Sequence, residues 1–221
     1  MPTSDFHNIS SVVALIYQLQ PSSVLDIGCG FGKYGVLIRE YLDVWNERLT
    51  PDSWRTNLVG IEACERYRNP ILDYVYSKVH YGEAQTVVPT LGNFDVVLIA
   101  DVIEHLEKKD ARKLVEECFA RSPVVIVSTP LEFSPQRDLL GNTYEVHRSW
   151  WRAEDFPADV HLRTIRMISC NIFVASREPL GEDVMALTDP ADYVYLRSRR
   201  KLGFVGLPLS LALRSLCRLL S

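Results

Sequence analysis

The sequence predicts an α/β fold in which parallel strands are joined by crossover helices and the chain ends in an antiparallel hairpin. Short runs of β-branched and apolar residues alternate with longer stretches of helical periodicity, which is typical of strand–helix–strand units. The run 94–100 is rich in apolar residues, as expected of a strand that is buried on both faces. Two closely spaced apolar runs, 160–167 and 170–176, predict the terminal hairpin.

The first half of the chain predicts three strands and the helices between them. The predicted elements are a helix over 9–19, a strand over 23–27, a helix over 33–45, a strand over 57–61, a helical stretch over 64–77 and a strand over 78–81. Asn8 or Ser10 is the expected N-cap of the first helix. The helix over 33–45 is expected to bury Leu37, Tyr41 and Val44.

The second half adds the remaining four strands. The predicted elements are the strand over 94–100, a helix over 111–120, a strand over 124–128 and the two hairpin strands. Leu114, Val115 and Cys118 form the expected inward face of the helix. Residues 130–150 form a long loop, which in a compact domain is usually functional or disordered.

The composition is that of a soluble globular protein, with 47% hydrophobic and 24% charged residues. The net charge of −4 argues against a long nucleic acid as partner. The five cysteines are odd in number and include no Cys-x-x-Cys pair, which favours a reducing cytoplasm over a disulfide framework. No signal peptide or conventional membrane span is expected.

The C-terminal part differs from the rest in charge. Residues 193–221 contain six basic residues and no acidic one, and the segment 209–220 has an apolar face opposite a face with Arg214 and Arg218. We therefore expect two regions, a main domain over 1–180 and an extension with a basic amphipathic helix over 181–221. That helix packs against the body or a second copy of the chain, or it contacts a membrane surface and makes the protein peripheral to it. Both interpretations stay open.

A glycine-rich turn follows the first strand and has an acidic partner one strand later. The segment 24–32 reads Val-Leu-Asp-Ile-Gly-Cys-Gly-Phe-Gly, and Glu62 ends the next strand. Glycines allow close approach of the backbone to a ligand, and a carboxylate at that strand end can accept both ribose hydroxyls of a nucleoside. The glycine spacing differs from the dinucleotide fingerprint, and there is no phosphate-binding lysine–serine loop. Because Asp26 precedes the first glycine, a ligand with an amino group is favoured.

This turn resembles the first motif of class I S-adenosylmethionine-dependent methyltransferases. The segments Gly82-Glu83-Ala84 and 95–106 resemble the family's motifs after strands three and four. The resemblance covers residues 8–177 and implies a Rossmann-like, doubly wound, seven-stranded, mostly parallel sheet with S-adenosylmethionine as cofactor. The residues that it assigns to the cofactor are Asp26, Gly28, Cys29, Gly30, Glu62, Ala63, Glu83, Ala84, Asp101 and Val102.

Two further motifs concern the methyl acceptor. Asp101-x-x-Glu104-His105 and the loop segment His147-x-x-x-Trp151 are similar to motifs of O-methyltransferases, among them the small-RNA 2′-O-methyltransferases. That subset holds a divalent cation, so the resemblance implies Asp101, Glu104, His105 and His147 as ligands of Mg²⁺ or Mn²⁺. Asp101 stands where those enzymes have Glu. Without a metal, His147 is the candidate general base, with Glu104 and His105 beside it.

The acceptor is expected to be a small molecule or a glycan. Tyr144, Arg148 and Trp151 are the candidate residues that contact it, through an apolar wall and a cation. Two alternatives remain open. One is metal-assisted 2′-O-methylation of an RNA end, and the other is a non-catalytic cofactor-binding regulatory or scaffold protein.

Overall fold

The computed structural model describes residues 6–138, 141–181 and 184, and its centre is one seven-stranded sheet. The strands are β1 Ser23–Ile27, β2 Asn57–Glu62, β3 Lys78–Tyr81, β4 Val96–Ala100, β5 Val124–Pro130, β6 His161–Arg166 and β7 Cys170–Ser176. They are arranged in the order β3-β2-β1-β4-β5-β7-β6. The first five pair in parallel, and β7 pairs antiparallel with both β5 and β6. The predicted mostly parallel sheet with a terminal hairpin is confirmed.

Helices cover the sheet in two groups. The helices are α1 Phe6–Leu19, α2 Lys33–Leu42, α3 Pro70–Val75, α4 Ala84–Val87 and α5 Lys108–Phe119. Helix α2 contacts both α1 and α3, whereas α4 contacts α5. Alternate strand residues such as Leu25, Val97 and Val125 form one core with Leu114 of α5. Their neighbours along the strands are buried as well, which is what a sheet covered on both faces requires.

Helix α1 begins earlier than predicted, and this changes the role of one residue. It starts at Phe6, so Asn8 lies inside the helix and is fully buried, and neither Asn8 nor Ser10 is its N-cap. The inward face of the helix carries Val12, Leu15 and Ile16, at the spacing of an amphipathic helix. A polar residue on this buried face needs hydrogen-bond partners, and Asn8 has them in the site described below.

Helix α2 presents a different face to the core than the apolar pattern predicted. It ends at Leu42, and Val44 starts a separate 3-10 turn in which no residue is buried. The inward face includes Arg39, whose guanidinium donates to the Val75 carbonyl at 2.7 Å and to Asp43 at 2.9 Å. Because these bonds satisfy the buried charge, a charged residue occupies a position that hydropathy alone assigns to solvent.

Smaller differences concern the ends of elements. Helix α5 begins at Lys108, three residues before the predicted start, and β5 extends two residues beyond its predicted end to Pro130. The predicted inward face of α5 is confirmed, with Leu114, Val115 and Cys118 buried. In the described part of the chain, no helix has the length and apolar character that crossing a membrane requires. The amphipathic helix predicted over 209–220 lies outside the described residues.

Candidate active site

A cavity of about 520 Å³ opens at the carboxyl ends of the parallel strands. Its walls come from the ends of β1, β2, β4 and β5, from the start of α4, and from the long connection between β5 and β6. The volume suits a ligand the size of a nucleoside with an amino-acid tail. In open α/β sheets, ligands bind at this edge, where the strand order reverses.

The glycine turn after β1 forms one wall, and its first glycine is fixed by geometry. Gly28 has φ +74°, and a Cβ atom at this position would lie 2.2 Å from a methyl carbon of Val102. The backbone amides of Gly28 and Cys29 both donate to the Ile61 carbonyl, at 2.8 and 3.0 Å. The turn is therefore packed against the segment after β4 and bonded to β2, and no residue other than glycine fits at position 28.

Glu62 joins the turn to the end of β2. Its carboxylate accepts hydrogen bonds from the Gly30 and Cys64 backbone amides, both at 2.8 Å, and it lines the cavity. Burial raises the pKa of this carboxyl above its usual range, although the two amide donors oppose that effect. The residues Ala63, Glu83 and Ala84, which the resemblance assigned to the cofactor, line the same cavity.

Asp26 lies beneath the turn and does not line the cavity. It is 1% exposed, and it accepts a hydrogen bond from the Tyr76 hydroxyl at 2.5 Å. Burial raises the pKa of the Asp26 carboxyl to about 7. The sequence assigned Asp26 to the cofactor itself. The structure instead places its side chain within the protein because alternation along β1 points it to the face of the sheet that carries Tyr76.

Asp101 and Val102 extend the wall from the end of β4. The Asp101 backbone has φ +52°, a left-handed conformation that is uncommon for a residue with a side chain. The two carboxylate oxygens accept hydrogen bonds from the Ser128 hydroxyl at 2.9 Å and the Asn8 amide at 3.1 Å. These bonds hold the strained residue in one orientation at the cavity.

Glu104, His105 and His147 come together at the cavity lining. Each offers a ligand atom, and these atoms lie within 4.8 Å of one another. The sequence placed Asp101 in the same group. Among the described residues, the structure groups only the other three, and the Asp101 carboxylate accepts hydrogen bonds from Asn8 and Ser128. Three nitrogen and oxygen donors suit a divalent cation, and they equally suit proton transfer.

Hydrogen bonds to carbonyl groups orient both imidazole rings. Nδ1 of His147 lies 2.6 Å from the Ser134 carbonyl, and Nδ1 of His105 lies 3.3 Å from the Val146 carbonyl. Because a carbonyl oxygen only accepts, each neutral ring carries its proton on Nδ1 and leaves Nε2 as an acceptor. Burial, followed by the neighbouring His147, lowers the pKa of His105, which keeps that ring neutral.

Glu104 is almost completely enclosed. Its side chain accepts a hydrogen bond from the Thr129 hydroxyl at 3.3 Å, and the residue is 3% exposed. Burial raises its pKa well above the usual range, and the charge of Asp101 adds to this effect. The backbone carbonyl of Glu104 also accepts from the amides of Arg148 and Ser149 at 2.8 and 3.0 Å. Glu104 thus attaches the loop after β5 to the cavity wall.

The three residues expected to contact an acceptor lie in different surroundings. Tyr144 and Arg148 line the cavity, with the Tyr144 hydroxyl 3.5 Å from Glu83 and the Arg148 guanidinium 3.9 Å from Glu107. Trp151 does not line it. Its ring is 0% exposed and packs edge-on against Phe156 in the main core. The prediction that Trp151 contacts the acceptor is therefore corrected, because the residue anchors the loop from below.

Sequence reasoning missed a polar cluster that connects the two sides of the cavity. The Tyr67 hydroxyl donates to Glu145 at 2.8 Å and accepts from the Asn142 amide at 2.8 Å. Its ring packs against Phe31 of the glycine turn, with centroids 5.1 Å apart. Tyr67 follows β2 and its two partners lie more than 70 residues later, so no local pattern marks this cluster.

The cavity lining is rich in carboxyl groups, of which those of Glu62 and Glu104 have raised pKa values. Its carboxylate-bearing lining residues are Glu62, Glu83, Asp101, Glu104, Glu107, Asp110 and Glu145. Lys33 and Arg148 are the basic residues on its walls, and Arg148 is paired with Glu107. The charge favours a cationic ligand.

The sheet order, the glycine turn and the acidic strand ends together define a class. The chain has the class I S-adenosylmethionine-dependent methyltransferase fold. Solved structures share this fold at low sequence identity. The methyltransferase domain of bacterial CtHen1 is 18% identical with a TM-score of 0.54, covering 77% of this chain and 97% of that one.

Two further solved structures carry the cofactor or its product. The N-terminal domain of EvdMO1, in the presence of S-adenosylhomocysteine and D-fucose, is 18% identical with a TM-score of 0.53, covering 80% of this chain and 85% of that one. Magnesium protoporphyrin IX methyltransferase from Synechocystis PCC 6803, with bound S-adenosylmethionine, is 17% identical with a TM-score of 0.54, covering 77% of this chain and 78% of that one. No protein-family model and no curated protein matches the sequence.

Proposed function

We propose that the protein is an S-adenosylmethionine-dependent O-methyltransferase that acts on a hydroxyl group of a small molecule or glycan. The observation that carries this proposal is the position of Gly28, Glu62 and Asp101. They line one cavity at the carboxyl ends of adjacent strands, in a fold shared with methyltransferases. The three residues were assigned to the cofactor from sequence motifs that lie far apart in the chain.

The cavity residues fit this cofactor chemically. S-adenosylmethionine has a net positive charge, since its sulfonium and ammonium groups outweigh its carboxylate, and acidic residues dominate the walls. The place that a Cβ atom of residue 28 would fill is already taken by Val102, so the turn presents bare backbone. Glu62 retains lone pairs beyond the two that its amide donors use, and these can accept ribose hydroxyls.

When bound, S-adenosylmethionine supplies a methyl carbon that an acceptor oxygen attacks while the carbon–sulfur bond breaks and its electron pair returns to sulfur. The chain's residues provide orientation and a proton acceptor. Nε2 of His147 accepts the proton of the acceptor hydroxyl because the Ser134 carbonyl fixes the proton of the ring on Nδ1. The pairing of Glu104 with the loop backbone keeps His147 on the cavity wall.

The charge of the cavity disfavours an anionic acceptor. Arg148, the cation on the acceptor side, is paired with Glu107, and Glu145 also faces this side. A phosphate or carboxylate group would meet repulsion there and find no free cationic partner among the lining residues. The presence of the neutral sugar D-fucose with the related domain of EvdMO1 supports the same class of acceptor.

Calorimetry with S-adenosylhomocysteine tests the first half of the proposal, since the wild-type chain is expected to bind it with a 1:1 stoichiometry. ATP, added as a matched nucleoside ligand with a polyphosphate, should give no heat of binding. Transfer of labelled methyl groups to a panel of neutral hexoses, each paired with its 6-phosphate, tests the second half. Binding of ATP in place of S-adenosylhomocysteine would overturn the assignment of the cofactor.

A second candidate function is metal-assisted 2′-O-methylation of an RNA end. The observation in its favour is the convergence of Glu104, His105 and His147, together with the shared fold of the CtHen1 methyltransferase domain. A divalent ion held there would lower the pKa of an acceptor hydroxyl and fix its position. Titration of Mn²⁺ into the wild-type protein separates the two candidates. If the second one holds, the wild type should bind Mn²⁺ and the Glu104→Gln/His147→Ala double variant should not. Metal-independent transfer to a hexose would eliminate the second one.

A further inference from the structure

Asn8 occupies an unusual position for a polar residue. It lies on the inward face of α1, is 0% exposed, and its amide reaches three other elements. The amide nitrogen donates to the Asp101 carboxylate at 3.1 Å and to the Ser128 hydroxyl at 3.0 Å. The amide oxygen accepts from the Tyr34 hydroxyl at 3.0 Å. These bonds tie α1 to α2, to the end of β4 and to β5.

The closed part of this network is a triangle around Asp101. Asn8 donates to one carboxylate oxygen, Ser128 donates to the other at 2.9 Å, and Asn8 also donates to Ser128. Both donors to the carboxylate are neutral. The triangle therefore orients the Asp101 side chain at the cavity wall, and the described residues include no cationic partner for its negative charge. A lysine or arginine at position 8 would orient the carboxylate and cancel its charge at the same time.

A carboxylate that is held in one orientation at this wall can bind a positively charged group of a ligand. The amino-acid tail of S-adenosylmethionine and S-adenosylhomocysteine carries an ammonium group, which needs an anionic hydrogen-bond acceptor when it leaves water. Asp101 provides the acceptor, and its left-handed backbone at φ +52° is held in place by the same bonds.

We propose that Asn8 is a positioning residue for the cofactor, which aims the Asp101 carboxylate at the ammonium group of the ligand. This inference rests on the proposed function, because it assumes that the cavity binds S-adenosylmethionine. Asn8 acts through Asp101 and is not a catalytic residue. Removal of the Asn8 side chain should lower the affinity for ligands that have the amino-acid tail and leave the affinity for ligands without it unchanged.

The first test compares two ligands. In the variant Asn8→Ala, calorimetry should show about a tenfold loss of affinity for S-adenosylhomocysteine. The affinity for 5′-methylthioadenosine, which has the same nucleoside but no amino-acid tail, should stay within twofold of the wild type. Ser10→Ala, an exposed residue on the same helix, is the matched control and should leave both affinities unchanged. Equal losses for the two ligands would mean a purely structural role and would overturn the inference.

The second test uses the isosteric variant Asn8→Asp and requires S-adenosylhomocysteine alone. The variant places a second carboxylate at hydrogen-bond distance from Asp101. The other polar groups close to this pair are the carboxyl of Glu104 and the hydroxyls of Tyr34 and Ser128. Two carboxylates at that distance keep one proton between them at mildly acidic pH. The protonated side chain then donates to Asp101 as the amide does.

The affinity of Asn8→Asp, relative to the wild type at each pH, should therefore fall about tenfold at pH 8 and recover at least threefold at pH 5.5. Ser10→Asp adds the same charge on the exposed side of α1 and should follow the wild type throughout. A constant ratio between Asn8→Asp and the wild type would overturn the inference, even if Asn8→Ala fails to fold. Failure of the wild type to bind S-adenosylhomocysteine would instead overturn the proposed function.

Discussion

The two sides of the cavity are built in different ways. On the cofactor side, the turn after β1 and the end of β2 meet through backbone amides, as in the bonds of Gly28 to Ile61 and of Gly30 to Glu62. On the acceptor side, the walls come mainly from the connection after β5, which is held by side chains such as Trp151 in the core and Tyr67 across the cavity. The first side depends on local strand–turn geometry, and the second depends on contacts that are distant in sequence.

The largest expected effect tests whether the core anchors the acceptor side. Trp151→Ala should lower the free energy of unfolding by about 4 kcal/mol, because it removes a fully buried aromatic side chain and leaves a cavity. Trp150→Ala, next in sequence and 38% exposed, should lower it by about 1 kcal/mol, because it removes a hydrogen bond to the Leu131 carbonyl and the contact with Arg152. Urea unfolding monitored by circular dichroism measures both. Similar losses for the two variants would contradict the placement of Trp151 in the core.

The next largest effect should separate the two sides functionally. His147→Ala is expected to reduce methyl transfer at least a hundredfold, since it removes the proton acceptor, and to leave the affinity for S-adenosylhomocysteine within twofold. His161→Ala, an exposed residue at the start of β6, is the control and should change neither quantity. Transfer assays and calorimetry are to be run on the same preparations. Loss of binding in His147→Ala would show that the two sides are not independent.

The converse experiment disturbs the cofactor side. Glu62→Gln removes the negative charge that accepts from the Gly30 and Cys64 amides, and it should weaken S-adenosylhomocysteine binding about thirtyfold, or about 2 kcal/mol. Glu65→Gln, an exposed residue three positions later, makes the same change in chemistry and should have no effect. If calorimetry gives equal affinities for the two variants, Glu62 does not contact the ligand.

The smallest expected effect, per pH unit, is a pH dependence of stability to which Asp26 and His105 contribute with opposite signs. Glu62 and Glu104, whose pKa values are also raised, contribute with the sign of Asp26. The pKa of Asp26 is raised to about 7, so between pH 4 and 7 the folded chain keeps a proton that the unfolded chain has released. Stability therefore falls as the pH rises through this window, by at most about 1.4 kcal/mol per unit from this group. His105 has a lowered pKa, so the unfolded chain binds the extra proton near pH 6 and stability rises with pH there.

Single substitutions separate these contributions. Between pH 5 and 7, Asp26→Asn should make the free energy of unfolding increase more with pH than it does in the wild type. His105→Gln should make it decrease more with pH. Asp43 and Asp155 have lowered pKa values because their hydrogen-bond donors outweigh burial, so they titrate below this window. The donors are the Arg55 amide and two arginine side chains for Asp43, and Lys108 and Arg112 for Asp155. Urea midpoints at pH 5, 6 and 7 give the slopes. Equal slopes for both variants would contradict the assignment of the two groups.

The cofactor side could be predicted from the sequence because its signals are local. Gly28 and Glu62 follow predicted strands directly, and parallel strands bring their carboxyl ends together whatever the rest of the chain does. The register of β1 with β2 then fixes their proximity. Asp26 was assigned to the ligand because motif position does not reveal which face of the sheet a residue points to.

The remaining part of the site depends on contacts that no local pattern encodes. Asn8 bonds to residues that are 93 and 120 positions away, and a polar residue near a helix start is more often a cap. Trp151 was predicted at the acceptor because aromatic residues cluster in its loop, yet burial in the core explains it. Arg39 shows the same limit in α2, where an ion pair with Asp43 lets a charged residue face inward.

Because Gly28 lies so close to Val102, the residues that can be tolerated at one of these positions depend on the residue at the other, although they are 74 residues apart. A side chain at position 28 requires a smaller residue than valine at position 102, because the two would otherwise occupy the same space. Trimming Val102 relieves the overlap but leaves the left-handed backbone at position 28, which disfavours any side chain. Substitutions that this fold tolerates should therefore occur at position 102 and leave position 28 unchanged.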